Sequence, residues 1–199
     1  MEYLVTGMAD INSKKVRIQI NYDEYIALYK GEAGRFHIEE GCLIEERIYT
    51  QIMSEILPKR ARERCLNLLS RRDMTELELR KKLRDSYYPA DIIDRTMECL
   101  KRNHLLNDEF YADNYISFHQ KNKSIRQLKQ ELSNKGIDKD TVSRIIEDSS
   151  IDEEQNIAAI LKKRHFDAVS ATPQERTKIC GYLMRKGYDY DKVRRMIME

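Results

Sequence analysis

The sequence predicts a mainly α-helical protein made of three tandem three-helix repeats that form an elongated curved array, preceded by a small N-terminal β-hairpin or sheet. Two observations predict this fold class. One 15-residue pattern occurs three times, beginning at Leu83, Leu132 and Leu183, which is a period of about fifty residues. Apolar residues that alternate with polar ones, as in a strand, are confined to the first thirty residues, and most of the remainder has helical spacing.

The N-terminal segment, residues 1–57, is predicted to contain β-strands and then a lead-in helix. In "KKVRIQINY", Val16, Ile18 and Ile20 alternate with polar residues, which is the period of a half-buried strand. One strand is expected before this stretch and another within "EYIALYK". So few strands cannot stand alone, so we expect them to pack on the helices or to pair with a partner. The last dozen residues have helical spacing until Pro58, which interrupts and suits the first turn of a new helix.

The threefold pattern repeats its residue types position by position. Relative to the first leucine, each copy has an apolar residue four positions before it and five, ten and fourteen positions after it. Each copy also has an Asp at eight and an Arg at twelve, so we expect an intrahelical ion pair in every repeat. The predicted pairs are Asp91–Arg95, Asp140–Arg144 and Asp191–Arg195.

Signals for the starts and ends of helices divide each copy in the same way. "TELE", "SIRQ" and "TPQE" fit the capping box, in which a hydroxyl and a side chain three residues later bond the first amides of a helix. Gly136 and Gly187 follow the next helix, where a left-handed residue ends it. Tyr87 has this position in the first copy, so that turn is the one expected to differ. The predicted repeats are residues 58–106, 107–150 and 151–199.

Composition and motifs argue against several classes of protein. The sequence has no apolar run of about 18 residues and no signal-peptide pattern at its start, so we expect a cytoplasmic protein. Cys42, Cys65, Cys99 and Cys180 form no CxxC pair, and we interpret them as reduced thiols packed mostly in helices rather than as metal ligands. No nucleophile motif and no phosphate-binding loop is present, so we predict no enzymatic activity, no metal and no cofactor.

Charge is distributed in blocks, although the net charge is only +2. Residues 58–84 and 156–199 have net charges of +6 and +5, whereas residues 1–57 and 85–155 have −4 and −5. The basic blocks are either solvated surface balanced by scattered Glu, or two patches that bind phosphate backbone or an acidic protein surface. The candidate binding residues of the second interpretation are Arg60, Arg64, Arg71, Arg72, Arg80, Lys81, Arg84, Lys162, Lys163, Arg185, Lys186 and Arg194.

Tyrosines lie in the turns beside these basic blocks and could stack on nucleic-acid bases. Tyr88 and Tyr188 share their repeat position with Ile137, so core packing is favoured for both. Tyr87 and Tyr190 are freer to make other contacts.

The stretch "LSRRDMTELELRKKL", followed by a third helix and "LLNDEFYADNYI", resembles the RecX family of RecA regulators. The specific part is "LLNDEFYA", Leu105–Ala112, which is similar to the junction between the first two repeats of that family. The "LxxKG" turns of the later repeats also match. The resemblance covers about residues 61–199, with a weaker match in the N-terminal hairpin. The first repeat departs from the family, because "DSYYPAD" replaces a turn that usually contains glycine.

The resemblance implies a fold of three tandem three-helix units and a non-catalytic regulator of homologous recombination and DNA repair. Such a protein binds the RecA–DNA filament and modulates it, usually by inhibiting its ATPase and strand exchange. The expected partners are the RecA filament and single- or double-stranded DNA, contacted through the basic patches. We expect a monomer without a small-molecule substrate or membrane contact. Two alternatives stay open: a helical-repeat protein that binds DNA independently of RecA, and an enzyme, for which the sequence offers no site.

Overall fold

The computed structural model describes residues 2–198, which form an antiparallel sheet followed by helices and divide into two compact units after Asn107. One apolar core fills the first unit, and two separate cores fill the second. No helix in the described range is long and apolar enough to cross a membrane.

The sheet lies at the start of the first unit. Its strands are β1 Tyr3–Asp10, β2 Lys15–Ile20, β3 Glu24–Tyr29 and β4 Leu43–Ile44. Their order across the sheet is β3-β2-β1-β4, and every neighbouring pair is antiparallel. Val16, Ile18 and Ile20 are buried, which confirms the alternation in β2. The sequence did not predict β4, because two residues are too few to show a period.

The sheet and the first helical repeat share one core. The buried residues of β2 and β3 belong to the same apolar cluster as Ile52, Leu79 and Met97. Ile18 and Ile26 are completely buried, and burial of each such side chain stabilises the fold by roughly 2–3 kcal/mol. The prediction that the strands pack on the helices is therefore confirmed.

The helices form three successive repeats after a short lead-in. The first unit contains α1 Lys30–Arg35, α2 Glu46–Gln51, α3 Leu57–Leu69, α4 Glu76–Arg84 and α5 Ala90–Arg102. The second unit contains α6 Asp108–His119, α7 Ile125–Asn134, α8 Lys139–Asp148, α9 Glu153–Lys163, α10 Pro173–Arg185 and α11 Tyr190–Met198. The three repeats are α3–α5, α6–α8 and α9–α11.

Pro58 lies in the first turn of α3, as predicted, but it does not interrupt the helical chain. A π-helical turn, Ile52–Ile56, joins α2 to α3, and the Leu57 amide donates to the carbonyl of Ile52, five residues back. Proline has no amide hydrogen, and its ring crowds the carbonyl four residues earlier in an α-helix. A wider turn immediately before Pro58 relieves both conflicts, so the helix widens where the sequence had indicated a break.

The predicted helix starts are confirmed with one difference. Both Thr-initiated motifs close complete capping boxes. The Ser124 hydroxyl accepts from the Gln127 amide at 3.1 Å, but the Gln127 side chain donates to Glu131 instead of returning to the cap. The side chains of Asp138 and Asp189 cap the starts of α8 and α11.

The turn after the middle helix is the same in all three repeats, so the expectation that the first turn differs was wrong. In each repeat, the amide five residues after the first leucine donates back to the carbonyl of that leucine at 3.2 Å. Gly136 and Gly187 have φ of 86° and 83°, and Tyr87 has φ of 61°. A left-handed conformation costs a non-glycine residue about 1–2 kcal/mol. The Tyr87 ring in turn contacts the guanidinium of Arg17, 5.4 Å from the ring centre.

The recurring arginine has different partners in different repeats. Of the three predicted Asp–Arg pairs, the first forms, at 2.7 Å. Arg144 instead binds Glu109 at 2.7 Å, and Arg195 binds Glu154 at 3.1 Å, so the prediction was wrong for these repeats. Both glutamates are the second residue of their repeat's first helix. In repeats two and three, the arginine therefore joins the third helix to the first helix, because its long side chain reaches a carboxylate on that neighbouring helix.

Glu153 and Asn156 of α9 join repeat three to the first residue of α7 and to the loop before it. The Glu153 carboxylate accepts from the Ile125 amide at 2.9 Å and binds the Lys192 ammonium at 2.9 Å. The Asn156 amide nitrogen donates to the Gln120 carbonyl at 2.6 Å. The side chains of Glu153 and Asn156 are both buried, so these polar contacts are shielded from water.

The same loop also contacts the turn between α10 and α11. The Ser124 hydroxyl donates to the Lys186 carbonyl at 2.8 Å while it caps α7. A Cβ atom at Gly187 would lie 2.9 Å from this hydroxyl oxygen, which is too close for a side chain. Glycine is therefore required at this position both for its positive φ and for the close approach of two repeats.

Candidate functional site

The first basic block contributes to a groove in the first unit. Arg60 and Arg64 lie one turn apart on α3, and Arg71 follows in the turn after this helix. Lys15, at the start of β2, joins them, so the groove is built by the sheet and the first repeat together. Its volume is about 270 Å³, and its walls also include Tyr29, Glu63 and Tyr88. This groove, with its four basic side chains, is called the cationic groove below.

Arg60 is held in place by the last residue of β3 and by α1. Its guanidinium pairs with the carboxylate of Glu32 and lies 4.4 Å from the centre of the Tyr29 ring. Burial lowers the pKa of Arg60, and the neighbouring Tyr29, Tyr88 and Glu63 act in the opposite direction. The group stays protonated, as arginine does in proteins. The ammonium of Lys15 lies 5.0 Å from the same Tyr29 ring, so two cations contact one aromatic side chain.

Arg64 has an unmet hydrogen-bonding capacity in the cationic groove. Its Nε atom is buried and has no hydrogen-bond partner among the described residues. Leaving a buried donor unpaired costs about 1–3 kcal/mol, more for a charged group. Burial raises the pKa of Tyr88, against the effect of the nearby Arg64 and Arg60. Tyr88 is therefore a neutral hydroxyl at pH 7 and supplies no negative charge to the groove.

Arg80 lies in a network that joins α4 to α5. It binds Glu76 at 2.7 Å and also pairs with Asp94, while Lys101 binds the other Glu76 oxygen at 2.5 Å. Burial alone would raise the pKa of Glu76, but hydrogen bonds from Lys101 and Arg80 outweigh it and lower the pKa. The structure therefore places Arg80 in an intramolecular ion-pair network outside the cationic groove.

The remaining candidates of the first block lie outside the groove as well. Arg72 binds Glu78 at 3.5 Å and donates to the Asp73 carbonyl. Lys81 and Arg84 are exposed in the last turn of α4. The structure thus brings together Arg60, Arg64 and Arg71 and separates them from the other four.

We expect Arg80→Gln to lower the stability of the first unit by about 1 kcal/mol, because one ion pair within α4 and one between α4 and α5 are lost. Arg84→Gln, the same change one turn further along an exposed face, should stay within about 0.3 kcal/mol of the parent. Glu76 has a lowered pKa, so its pairs stabilise the fold above its unfolded-state pKa and are lost as the pH falls through its folded-state pKa. Urea unfolding at neutral and acid pH should therefore show the Arg80 effect shrinking on acidification. Equal midpoints for both variants at neutral pH would contradict the structural role.

The second basic block is spread over the third repeat. Lys162 and Lys163 are exposed in the last turn of α9, and Arg194 is exposed on α11. Arg185 and Lys186, at the end of α10, line a groove of about 660 Å³ where repeats two and three meet. Of the five candidates in this block, the structure brings only these two to one groove within the described residues.

Sequence reasoning missed contributors to both grooves. Arg126 of α7 lines the second groove with Arg185. Lys15 lines the cationic groove, and its cross-strand partner in β3 is Tyr29. A signal for Lys15 was present, because strand alternation that buries Val16 necessarily places Lys15 on the other face. Lys15 was not chosen as a candidate because it belongs to residues 1–57, a segment whose net charge is negative.

No group of three or more His, Cys, Asp and Glu side chains within residues 2–198 is arranged to hold a metal ion. The four cysteines have free thiols, and burial raises the pKa of the Cys65 thiol to about 11. Cys65 is therefore protonated at neutral pH and packs as a small apolar side chain.

Comparison with known proteins identifies the repeats. Models of the first, second and third three-helix domains of RecX match residues 61–100, 107–144 and 152–197, respectively. The chain belongs to the RecX family. Its resemblance to that family, inferred above from "LLNDEFYA" and the repeat turns, is thereby confirmed.

RecX relatives and RecX crystal structures match most of the chain. The "Regulatory protein RecX" of Clostridioides difficile (strain 630) is 30% identical, over 94% of this chain and 89% of that protein. The protein of the same name from Clostridium botulinum (strain Eklund 17B / Type B) is 24% identical, over 93% and 94%. A crystal structure of regulatory protein RecX has a TM-score of 0.64 at 20% identity and covers 98% of both chains. A RecX structure from Lactobacillus salivarius has a TM-score of 0.62 at 25% identity, over 71% of this chain and 94% of that one.

Proposed function

We propose that this RecX-family protein binds the RecA–DNA filament and inhibits its ATPase and strand exchange without a catalytic step of its own. The observation that carries the proposal is the match of all three helical repeats to a family of regulatory proteins. The basic surfaces add support. A RecA–DNA filament combines protein with a polyanion, and a regulator with separate cationic surfaces can contact phosphate while other faces contact protein.

The test is a titration of the full chain into RecA assembled on single-stranded DNA, with ATP hydrolysis as the readout. We expect hydrolysis to fall in a dose-dependent way and to level off at saturation. Addition before and after filament assembly separates an effect on assembly from an effect on the finished filament. Unchanged hydrolysis at saturating protein would contradict the proposal.

A second candidate function is direct binding to DNA without RecA. The cationic groove favours it, because four basic side chains converge there around exposed aromatic surface. The two functions differ in a measurable way. Tight binding to bare DNA with a steep salt dependence, together with no effect on RecA, would support the second function over the first.

A further inference from the structure

We propose that the cationic groove binds the phosphodiester backbone of a single nucleic-acid strand, with Arg64 as its innermost ligand. This deepens the proposed function by assigning one nucleic-acid contact to the N-terminal sheet and α3. It is tested without RecA, so its failure and the failure of filament inhibition can be told apart.

The spacing of the basic side chains suits successive phosphates. Arg60 and Arg64 are separated by about 6 Å along α3. A stacked strand rises about 3.4 Å per nucleotide, so neighbouring phosphates are within reach of side chains so placed. Arg71 extends the row beyond the end of the helix, and Lys15 adds a cation from β2. One strand lying along the groove can therefore meet several of these groups at once.

The electrostatics of the groove leave an excess of positive charge at Arg64. The lining contains four basic side chains and one acidic one, Glu63. Glu32 pairs with Arg60, which is also fixed by the Tyr29 ring, so Arg60 offers a phosphate less net positive charge than Arg64 does. The buried Nε of Arg64 still lacks an acceptor. Nε itself is shielded from solvent, so a phosphate would bind the terminal nitrogens of the Arg64 guanidinium through the charge-assisted hydrogen bonds for which this group is suited.

The composition of the walls favours a nucleic acid over an acidic polypeptide. Tyr29, the last residue of β3, is 41% exposed, and Tyr88, in the turn between α4 and α5, also lines the groove. A cationic groove with aromatic side chains is the usual means of binding single strands, because phosphates meet the cations and bases can stack on rings. An acidic polypeptide would satisfy the cations alone, and it is one outcome of the test below.

The test compares two double variants that remove the same charge from the same region. Arg64→Gln with Arg71→Gln removes two ligands of the groove. Lys59→Gln with Arg62→Gln removes two exposed cations of α3 that do not line it. Binding of the full chain to fluorescein-labelled oligothymidylate is followed by anisotropy over a range of salt concentrations. We expect the groove variant to bind about tenfold more weakly or worse, with a log–log salt slope reduced by roughly 1.4, since each single-strand phosphate contact contributes about 0.7. The control should bind within about twofold of the parent, with its slope unchanged.

Several results would overturn the proposal. Equal weakening by both double variants would mean that a general positive field, and not the groove, holds the strand. Polyglutamate that competes as well as oligothymidylate at matched charge would assign the groove to an acidic polypeptide. Inorganic phosphate that competes equally well would reduce the site to a free-phosphate site. If the Arg64 change prevents folding, as circular dichroism would show, Arg71→Gln alone carries the test, because Arg71 is exposed and lies beyond the helix. A parent-like affinity and slope in that variant would likewise overturn the proposal.

Discussion

Replacing Glu153 by alanine should destabilise the second unit by about 3 kcal/mol, because the change leaves two buried or half-buried partners without their acceptor. Glu153 is only 6% exposed, although it is a charged residue in the first turn of α9. Its carboxylate binds the Lys192 ammonium and accepts from the Ile125 amide, each at 2.9 Å. Lys192 belongs to repeat three and Ile125 to repeat two, so one side chain holds both repeats.

The neighbouring residue supplies a matched control. Glu154 also binds a cation on α11, Arg195, at 3.1 Å, but both side chains are more than half exposed. An exposed pair contributes about 0–1 kcal/mol, so Glu154→Ala should have little effect. Glu153→Gln should fall between the two alanine variants, because an amide oxygen can still accept from Ile125 although the charge on Lys192 is no longer balanced.

Amide hydrogen exchange in the full chain measures this prediction locally. In Glu153→Ala, protection should fall in α7, α9 and α11 and should be retained in the sheet of the first unit. Urea unfolding followed by circular dichroism gives the corresponding midpoint. Equal losses of protection in the Glu153 and Glu154 variants would contradict the role of burial, and unchanged protection in α7 would contradict the link between the repeats.

The sequence predicted the repeats well, because their cores are set by local periodicity. The first leucine of each copy, Leu83, Leu132 or Leu183, is completely buried. The apolar residue four positions before it is also buried in every copy. Tyr188 is also buried, as its shared position with Ile137 indicated. An apolar residue must face the core of its own helix bundle, so spacing along the chain is sufficient information.

The candidate site was harder to predict, because it depends on contacts between residues far apart in sequence. Lys15 and Arg60 meet only because the sheet packs on the first repeat. Arg80 was a candidate for binding nucleic acid or another protein, but it pairs with two residues of its own chain, Asp94 on the next helix and Glu76 on the same helix. Neither outcome is visible in a block of net charge, since a block does not say which residues face each other.

Tyr87 shows a different limit of local rules. A glycine at this position indicates a left-handed turn, but its absence does not exclude one. The hydrogen bond from Tyr88 to the Leu83 carbonyl forms in spite of the strain at Tyr87. Packing of the repeat thus overrides the preference of one residue, since that preference is only about 1–2 kcal/mol.

Leu183→Ala should cost about 3–5 kcal/mol and should unfold the third repeat preferentially. Leu183 is completely buried in a core that consists of seven buried apolar residues among those described. Deleting a buried leucine side chain removes its transfer free energy and leaves a cavity that the surroundings fill only in part. A core this small has few neighbours that can shift to fill the space, so we expect the cost to be in the upper part of that range.

Comparison with Leu83→Ala tests whether core size decides the outcome. Leu83 is also completely buried and has the same repeat position, but its core includes the sheet and 21 buried apolar residues. The free-energy cost should be of similar size in both variants, but the first repeat should stay folded in Leu83→Ala, because a larger core retains enough buried area.

Met184→Ala, at the adjacent position that is 37% exposed, controls for a change in α10 and should cost less than about 1 kcal/mol. Circular dichroism should therefore show an early, partial loss of helix in Leu183→Ala alone. Early unfolding in Leu83→Ala instead would mean that the sheet adds little to the first core, and one concerted transition in both variants would mean that the cores do not unfold separately.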